Sequence, residues 1–116
     1  MPGPTVTFKG NGIGASSETN IGKIALSSQT GASKYPLIYN YMTATSSTGC
    51  LDFTINIYKN GTLTFSKRTG TTSTTAPSWF ESPIDLVIEY GGNLLVTATN
   101  NVAASTNSFT VVLENR

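Results

Sequence analysis

Apolar and polar residues alternate along most of the chain with a period of two, the period of a half-buried β-strand. The alternating runs are rich in Thr, Val, Ile, Tyr and Phe, which favour strands, and no run has the helical period. Glycine, proline and asparagine separate the runs, as turns require. The pattern predicts about eight short strands, at residues 5–8, 23–27, 37–44, 51–58, 62–67, 84–90, 94–99 and 108–113.

The spacing of these strands predicts the fold class. Short strands separated by turn signals at such intervals are typical of small sandwiches. We therefore expect an all-β chain, folded as a single antiparallel β-sandwich of about eight strands, jelly-roll or immunoglobulin-like, with a flexible N-terminal arm. A chain of 116 residues has the length of one domain.

Two segments differ in composition from the rest. Residues 1–20 are predicted to be a glycine-rich arm with one short strand, and residues 21–116 form the sandwich domain. The strand of the arm can dock on its own sheet or on a neighbour's; it consists of Thr5, Val6, Thr7 and Phe8. Residues 69–78 are rich in serine and threonine, and we predict a surface loop that crosses between the two sheets.

The alternation also predicts the register of a hairpin in the middle of the chain. A tight Asn60-Gly61 turn would pair Tyr58 with Leu63 and put the apolar residues of the two strands on opposite faces. A longer loop over residues 59–61 would instead pair Ile57 with Leu63. We predict the longer loop, because it gathers the apolar residues on one face.

A second hairpin is predicted at Gly91-Gly92-Asn93. A loop over these residues would place Ile88 opposite Val96, with Asn93 in the left-handed conformation that asparagine tolerates.

The composition argues against catalysis. The chain has no histidine, the common general acid-base residue, and its six carboxylates are scattered singly. Asp85 and Glu89 share a face of one predicted strand, but about 13 Å of strand separates them, more than the carboxylate spacing of glycosidases. We predict that the protein is not an enzyme and that it has no catalytic, cofactor-binding or metal-binding residues.

Charge and cysteine content narrow the class of partner. Charged residues make up 11% of the chain, the net charge is +1, and the cations are too spread out to track a nucleic acid. No apolar run is long enough for a membrane span, and the single cysteine excludes an intrachain disulfide. Weakly charged surfaces associate readily. The expected partners are therefore copies of the chain or a coat or capsid protein, with a glycan also possible.

Aromatic residues supply the candidate interface or ligand-binding positions. Trp79 and Phe80 could form a stacking platform, or they could close one end of the core. Tyr39 and Tyr41 are predicted to share a strand face, which would be core or interface.

The order of segments from Tyr39 onward resembles the jelly-roll subunits of bacterial endospore appendages. The shared parts are a strand ending in Tyr41-Met42-Thr43-Ala44-Thr45, the strand at residues 51–58, a Thr/Ser crossover, an Ile-Asp-Leu-Val-Ile strand and a final Ser-Phe-Thr-Val-Val-Leu strand. The resemblance implies that an N-terminal connector, here residues 1–11, docks into the next subunit. Members with disulfide-linked connectors carry cysteines there, and this chain has none. Small phage decoration and tail proteins are similar by the same criteria.

The sequence predicts a non-enzymatic, self-assembling structural subunit of an extracellular filament or virion surface. Its N-terminal strand would add to the sheet edge of a neighbouring subunit through backbone hydrogen bonds. The start of the chain lacks the basic and apolar regions of a secretory signal, so we expect assembly on a spore or virion surface without a recognisable signal peptide. The alternative is a lectin-like glycan-binding module that uses Trp79 and Tyr39 with asparagine and threonine side chains.

Overall fold

The residues that the structure describes form eight strands arranged in two sheets. The structure, a computed structural model, describes residues 5–14, 18–25, 37–46, 52–70, 79–89, 91–101 and 106–116. The strands are β1 (Thr5–Gly14), β2 (Glu18–Ala25), β3 (Leu37–Ser46), β4 (Asp52–Lys59), β5 (Thr62–Gly70), β6 (Trp79–Ile88), β7 (Asn93–Asn100) and β8 (Thr106–Glu114). Each contains or overlaps a strand that the alternation predicts, although residues 26, 27, 51 and 90 of the predicted strands lie outside the described residues.

Both sheets are antiparallel and four-stranded. Sheet I has the order β1-β8-β3-β6 and sheet II the order β2-β7-β4-β5. Of the strands that follow one another in sequence, β4 and β5 are neighbours in a sheet, and every other step along the chain changes sheet. This strand order is that of a jelly roll. The predicted all-β sandwich class is therefore confirmed, and of the two predicted forms the strand order is the jelly roll.

The core lies between the sheets, where alternate residues of each strand point inward. Phe53 is at its centre, with ring centroids 5.8 Å from Phe80 and 5.1 Å from Phe109. Full burial of a side chain of this size contributes about 1.5–3 kcal/mol to folding. The buried apolar set is Phe8, Tyr39, Met42, Ala44, Phe53, Ile55, Ile57, Phe80, Leu86, Ile88, Leu94, Val96, Ala98, Phe109, Val111 and Leu113.

Phe8 and Lys67 lie at the two open sides of the sandwich, where β1 meets β2 and β5 meets β6. On one side Phe8 of β1 packs on Gly22 of β2, where a side chain would not fit. On the other side Lys67 of β5 points inward and holds its ammonium 5.5 Å from the ring centroid of Phe80 in β6. A lysine is suited to this position because its stem covers apolar surface while its charge reaches solvent.

The described part of the predicted N-terminal arm belongs to the sandwich. β1 pairs along β8 of the same chain, with Val6 opposite Leu113 and Phe8 opposite Val111. The strand predicted at residues 5–8 is therefore present and longer than expected, while residues 1–4 and 15–17 lie outside the described residues. Since β2 begins at Glu18, a boundary at residue 20 does not separate an arm from the sandwich within the described part of the chain.

The register predicted for the middle hairpin is wrong. The turn is the tight Asn60-Gly61 form, with φ angles of 52° and 83°, and it pairs Tyr58 with Leu63. A register shift then leaves Thr64 without a partner strand residue and brings Phe65 opposite Ile57. This β-bulge returns Phe65 to the inner face, while Leu63 stays on the outer face, so the longer turn loop is not needed.

The second predicted hairpin is also wrong, because β6 and β7 lie in different sheets. Ile88 and Val96 are both fully buried, but they belong to opposite walls of the core instead of pairing in one ladder. The left-handed residue of the connection is Gly91, with φ 86°, and not Asn93. By contrast, the crossing predicted between β5 and β6 does join the two sheets, although residues 71–78 of that loop lie outside the described residues.

Every edge of the two sheets carries an interruption. The edge strands are β1, β2, β5 and β6. The ladder shifts between Gly10 and Ile13 in β1, between Asn20 and Gly22 in β2 and at Thr64 in β5, and β6 contains Pro83. Bulges, edge prolines and an inward lysine such as Lys67 are devices that prevent further strands from adding to an edge.

Candidate ligand-binding faces

The outer face of sheet I brings together residues of β3 and β6. Directly paired residues of antiparallel strands lie on the same face, and these alternate with the buried Met42, Ala44 and Phe80. The outward pairs are Thr45 with Trp79, Thr43 with Glu81 and Tyr41 with Pro83.

Trp79 is the most exposed large apolar residue among those that the structure describes. Its side chain is 58% exposed, while the next residue, Phe80, is buried in the core. The indole stands at the edge of sheet I beside Thr45, and Glu81 follows it on the same face of β6. An exposed indole offers a flat apolar surface with a polar N–H at its rim.

Tyr41 and Glu81 are fixed to each other. The Tyr41 hydroxyl donates a hydrogen bond to Oε2 of Glu81. The other oxygen of this carboxylate accepts no hydrogen bond from the residues that the structure describes. Glu81 therefore presents a positioned acceptor on the same face as the Trp79 indole.

Arg116 packs against the ring of Tyr41, whose hydroxyl is bound to Glu81. The guanidinium carbon of Arg116 lies 3.7 Å from the Tyr41 ring centroid, and Arg116 Nε donates to Glu114 Oε2 at 3.4 Å. Asn40 donates to the Arg116 carbonyl at 3.0 Å and accepts from the Arg116 amide at 2.8 Å. These contacts restrict the motion of the Tyr41 ring, so this side of the face is preorganised.

The predicted aromatic positions divide between face and core. Trp79 and Tyr41 lie on the outer face, whereas Tyr39 is 3% exposed and Phe80 is 7% exposed, and both belong to the core. The shared face predicted for Tyr39 and Tyr41 is wrong, because the ladder shifts between them: Tyr39 pairs with buried Leu86 and Tyr41 pairs with exposed Pro83. Burial raises the pKa of the Tyr39 hydroxyl. Neither Tyr39 nor Phe80 is accessible to a ligand.

The predicted interface strand is accessible on one side only. Val6 and Phe8 face the core of their own chain, and Thr5 and Thr7 face outward beside Glu114 and Val112 of β8.

The outer face of sheet II carries a second positioned carboxylate, which the sequence analysis did not single out. Glu18 Oε2 accepts hydrogen bonds from Thr97 Oγ1 at 2.5 Å, from the Tyr58 hydroxyl at 2.6 Å and from Asn56 Nδ2 at 3.3 Å. These donors lower the pKa of Glu18, Thr97 most and then Tyr58. Glu18 is therefore ionised at neutral pH.

The neighbouring carboxylates differ from Glu18 in having cations as partners. Arg68 binds Asp52 with both Nε at 2.8 Å and Nη2 at 2.6 Å, and the hydrogen bond from Arg68 lowers the pKa of Asp52. Lys59 binds Glu89 at 3.0 Å and lowers its pKa. Within the described part of the chain, no lysine or arginine forms an ion pair with Glu18.

The outer faces of both sheets are open and carry polar and apolar side chains. Among the described residues, no group of three or more histidine, cysteine, aspartate or glutamate side chains could hold a metal ion, and no pocket is present. The described elements include no helix that could cross a membrane. A ligand would lie on an open sheet face and be held by the indole, by positioned carboxylates and by threonine and asparagine side chains.

The sequence contains a signal for one of the two carboxylates. Glu81 follows Trp79 at the strand period of two, which predicts a shared face once the strand is known to begin at Trp79. The strand predicted from the sequence begins at residue 84, which leaves Glu81 outside it. Glu18 lies before the strand predicted at residues 23–27, and its donors come from two other strands, so no local pattern indicates the cluster.

Comparison with known proteins supports the fold. No family model matches the chain, and no curated protein matches its sequence. Among solved structures, it is similar to latent PorU from Porphyromonas gingivalis, at 12% identity and a TM-score of 0.52, and to the insecticidal delta-endotoxin Cry8Ea1 from Bacillus thuringiensis, at 14% and 0.50. The chain is covered to 96% and 97%, but it spans only 12% and 19% of those two proteins. Similarity at such identities shows a shared fold.

A third similar structure is a family 35 carbohydrate-binding module from Clostridium thermocellum. Its identity to this chain is 12%, the matched region covers 93% of this chain and 90% of the module, and the TM-score is 0.46. A similarity at this TM-score indicates neither a ligand nor a function. The strand order of the two sheets is that of a jelly-roll β-sandwich.

Proposed function

We propose that the protein is a non-catalytic binding module that recognises glycans on the outer face of sheet I. The observation that carries this proposal is the exposed Trp79 indole in line with the positioned Glu81 carboxylate and beside Thr45. Sugars present flat C–H faces, which pack on an indole, and rims of hydroxyl groups, which bond to carboxylates and hydroxyls.

The open shape of this face sets the expected affinity. A ligand on a sheet without a pocket buries little area, so few contacts offset the entropy lost on binding. We therefore expect dissociation constants of roughly 10 μM to 1 mM for a single glycan. The restrained Tyr41 and Glu81 side chains favour binding, because little further ordering is needed.

A glycan array followed by isothermal titration calorimetry tests the proposal. Replacement of Trp79 by Ala should weaken binding of the best glycan about tenfold or more, as loss of a central aromatic anchor does. Glu81→Gln should also weaken binding. Ile38→Ala is the matched control, because Ile38 is 42% exposed but lies seven residues along β3 from Thr45, about 20 Å at the rise of a strand. Absence of binding to any glycan, or equal losses for Trp79→Ala and Ile38→Ala, would contradict the proposal.

A second candidate function is self-assembly into a surface structure of a spore or virion. The observation that favours it is β1, which pairs along β8 from Thr5 to Gly14 and inserts Phe8 into the core. A neighbouring copy could supply the same strand. Because every sheet edge is interrupted, the strand would have to replace the resident β1 in an exchange between copies, and could not simply add to a complete edge.

Light scattering at increasing protein concentration tests the second candidate. An exchanging chain should form oligomers that disappear when residues 1–12 are removed, while the shortened chain gains an open β8 edge that a peptide of residues 1–14 can fill. A full-length chain that stays monomeric at about millimolar concentration would argue against assembly.

A further inference from the structure

The glycan site proposed on sheet I does not include the Glu18 carboxylate, which lies on the outer face of sheet II. Three side chains from two other strands donate hydrogen bonds to it, and all of them reach the same oxygen, Oε2. The other oxygen, Oε1, accepts no hydrogen bond from the residues that the structure describes. The result is a carboxylate fixed in place with one acceptor oxygen uncommitted.

The charge of Glu18 is not neutralised by its partners. Its donors are a hydroxyl, a phenol and an amide, which stabilise the carboxylate without supplying positive charge. The cations nearby on this sheet are engaged elsewhere: Arg68 binds Asp52 and Lys59 binds Glu89. Lys23 also faces outward, but Glu18 pairs with Thr99 and Lys23 with Leu95, four residues apart on β7, so about 13 Å of strand separates the two backbone positions.

The surroundings of Glu18 are suited to a hydroxylated ring. Next to the carboxylate runs a polar row of Asn20, Thr97, Asn56 and Ser66, in which Thr97 is buried and Asn20 and Ser66 are exposed. The following row begins with Lys23 on β2 and continues through Leu95 and Tyr58 to the half-exposed Leu63. A ligand could therefore place a cation at Glu18, hydroxyls along the polar row and an apolar face against Tyr58 and Leu63.

We propose that this face binds an amino sugar whose primary ammonium group pairs with Oε1 of Glu18. A hydrogen bond between an ammonium and a carboxylate is among the stronger polar contacts that a protein makes. Fixing the carboxylate in advance removes most of the side-chain ordering that such a contact otherwise requires. The site is separate from the Trp79 face, since the two lie on opposite sheets.

Titration with a tetramer of β-1,4-linked glucosamine, compared with the fully N-acetylated tetramer, tests the proposal. The amine form should bind about tenfold or more tightly than the acetylated form, because acetylation removes the charge. Glu18→Gln should lower the affinity for the amine form about tenfold. Asp85→Asn is the matched control: it removes an exposed carboxylate from β6 of the other sheet, outside both candidate sites, and it should leave the affinity unchanged.

Two further measurements distinguish loss of this site from misfolding and from loss of the glycan site on sheet I. If Glu18→Gln fails to fold, the unmodified protein still tests the charge pairing, because raising the salt from about 0.05 M to about 0.5 M should weaken binding of the amine form. In Trp79→Ala, which removes the glycan site on sheet I, the amine form should still bind about tenfold more tightly than the acetylated form, so failure of that site is distinguishable from failure here. Equal binding of both tetramers, salt-independent binding, unchanged affinity in folded Glu18→Gln, or equal binding of tetralysine would overturn the proposal.

Discussion

The ring of Phe8 lies directly on Gly22, so close that a Cβ at position 22 would come within 1.8 Å of Phe8 Cδ1. This contact joins β1 of sheet I to β2 of sheet II and closes one open side of the sandwich. A glycine is needed there because any side chain would occupy the space of the ring. The contact ties the first strand to the rest of the fold.

Replacing Gly22 by Ala should destabilise the fold. We expect the free energy of unfolding in urea to fall by about 1–3 kcal/mol, the usual cost of overpacking a core. The double-mutant cycle with Phe8→Ala is the control: once the ring is gone, Gly22→Ala should cost close to nothing. An equal cost of Gly22→Ala with and without the Phe8 ring would show that the contact does not set the requirement for glycine.

The turn between β4 and β5 should depend on both of its residues, for different reasons. Gly61 has φ +83° with open space around it, so Gly61→Ala should cost about 1 kcal/mol through backbone strain alone. Asn60 accepts a hydrogen bond from the Asn93 amide at 2.9 Å through Oδ1. Asn60→Gly keeps the conformation and loses this bond, at a cost of about 0.5–1.5 kcal/mol. Urea unfolding measures both, and a stabilised Gly61→Ala variant would refute the account of the turn.

Lys67 should protect the β5 edge from association. It points inward from an edge strand and covers the Phe80 ring. Lys67→Ile keeps the apolar cover but removes the charge, so we expect little change in stability and a lower concentration threshold for aggregation. Ser66→Ile, on the outer side of the same strand, is the control for added hydrophobicity. Sedimentation at rising concentration compares the two, and the prediction fails if Ser66→Ile aggregates as readily as Lys67→Ile.

Stability should fall in acid. Hydrogen bonds lower the pKa of Glu18, through Thr97 first, and of Asp52, through Arg68 first. A carboxylate with a lowered pKa in the folded state stabilises the fold fully above its unfolded pKa and loses that contribution as pH falls through the folded pKa. The free energy of unfolding should therefore be level near pH 7 and decline below about pH 5. Glu18→Gln and Asp52→Asn should each flatten the decline, and an unchanged slope in both variants would contradict this origin of the acid sensitivity.

The strands could be predicted from the sequence because a period of two survives wherever one face is buried. The alternation of Phe53, Ile55 and Ile57 is an example, since all three are fully buried. The pairing of strands could not be predicted in the same way. Gly91 and Gly92 indicate that the chain changes direction between β6 and β7. Such glycines are equally compatible with a hairpin within one sheet and with a connection between two sheets, and here the connection is between sheets.

The register shifts in β3–β6 and in β4–β5 are the second reason that pairings predicted from the sequence are wrong. The extra residue Thr64 corrects the register of β5 after a tight turn, and nothing in the local pattern distinguishes it from the residue of a longer loop. The shift between Tyr39 and Tyr41 sends one tyrosine into the core and the other to the surface for the same reason. Of the candidate site, Trp79 and Tyr41 could be predicted from the sequence, and Glu81 follows from the period of two once β6 is known to begin at Trp79. Glu18 could not be predicted, because its donors lie on two other strands.

The single tryptophan of the chain allows the most direct test of the glycan-binding proposal. In a two-dimensional ¹⁵N–¹H spectrum, the only indole N–H signal belongs to Trp79, so its shift on titration reports contact at this position without a mutation. The account predicts a saturable shift of this signal with the glycan selected on an array, together with shifts for Thr43, Thr45 and Glu81. Saturable binding of that glycan without any change in the indole signal would contradict it.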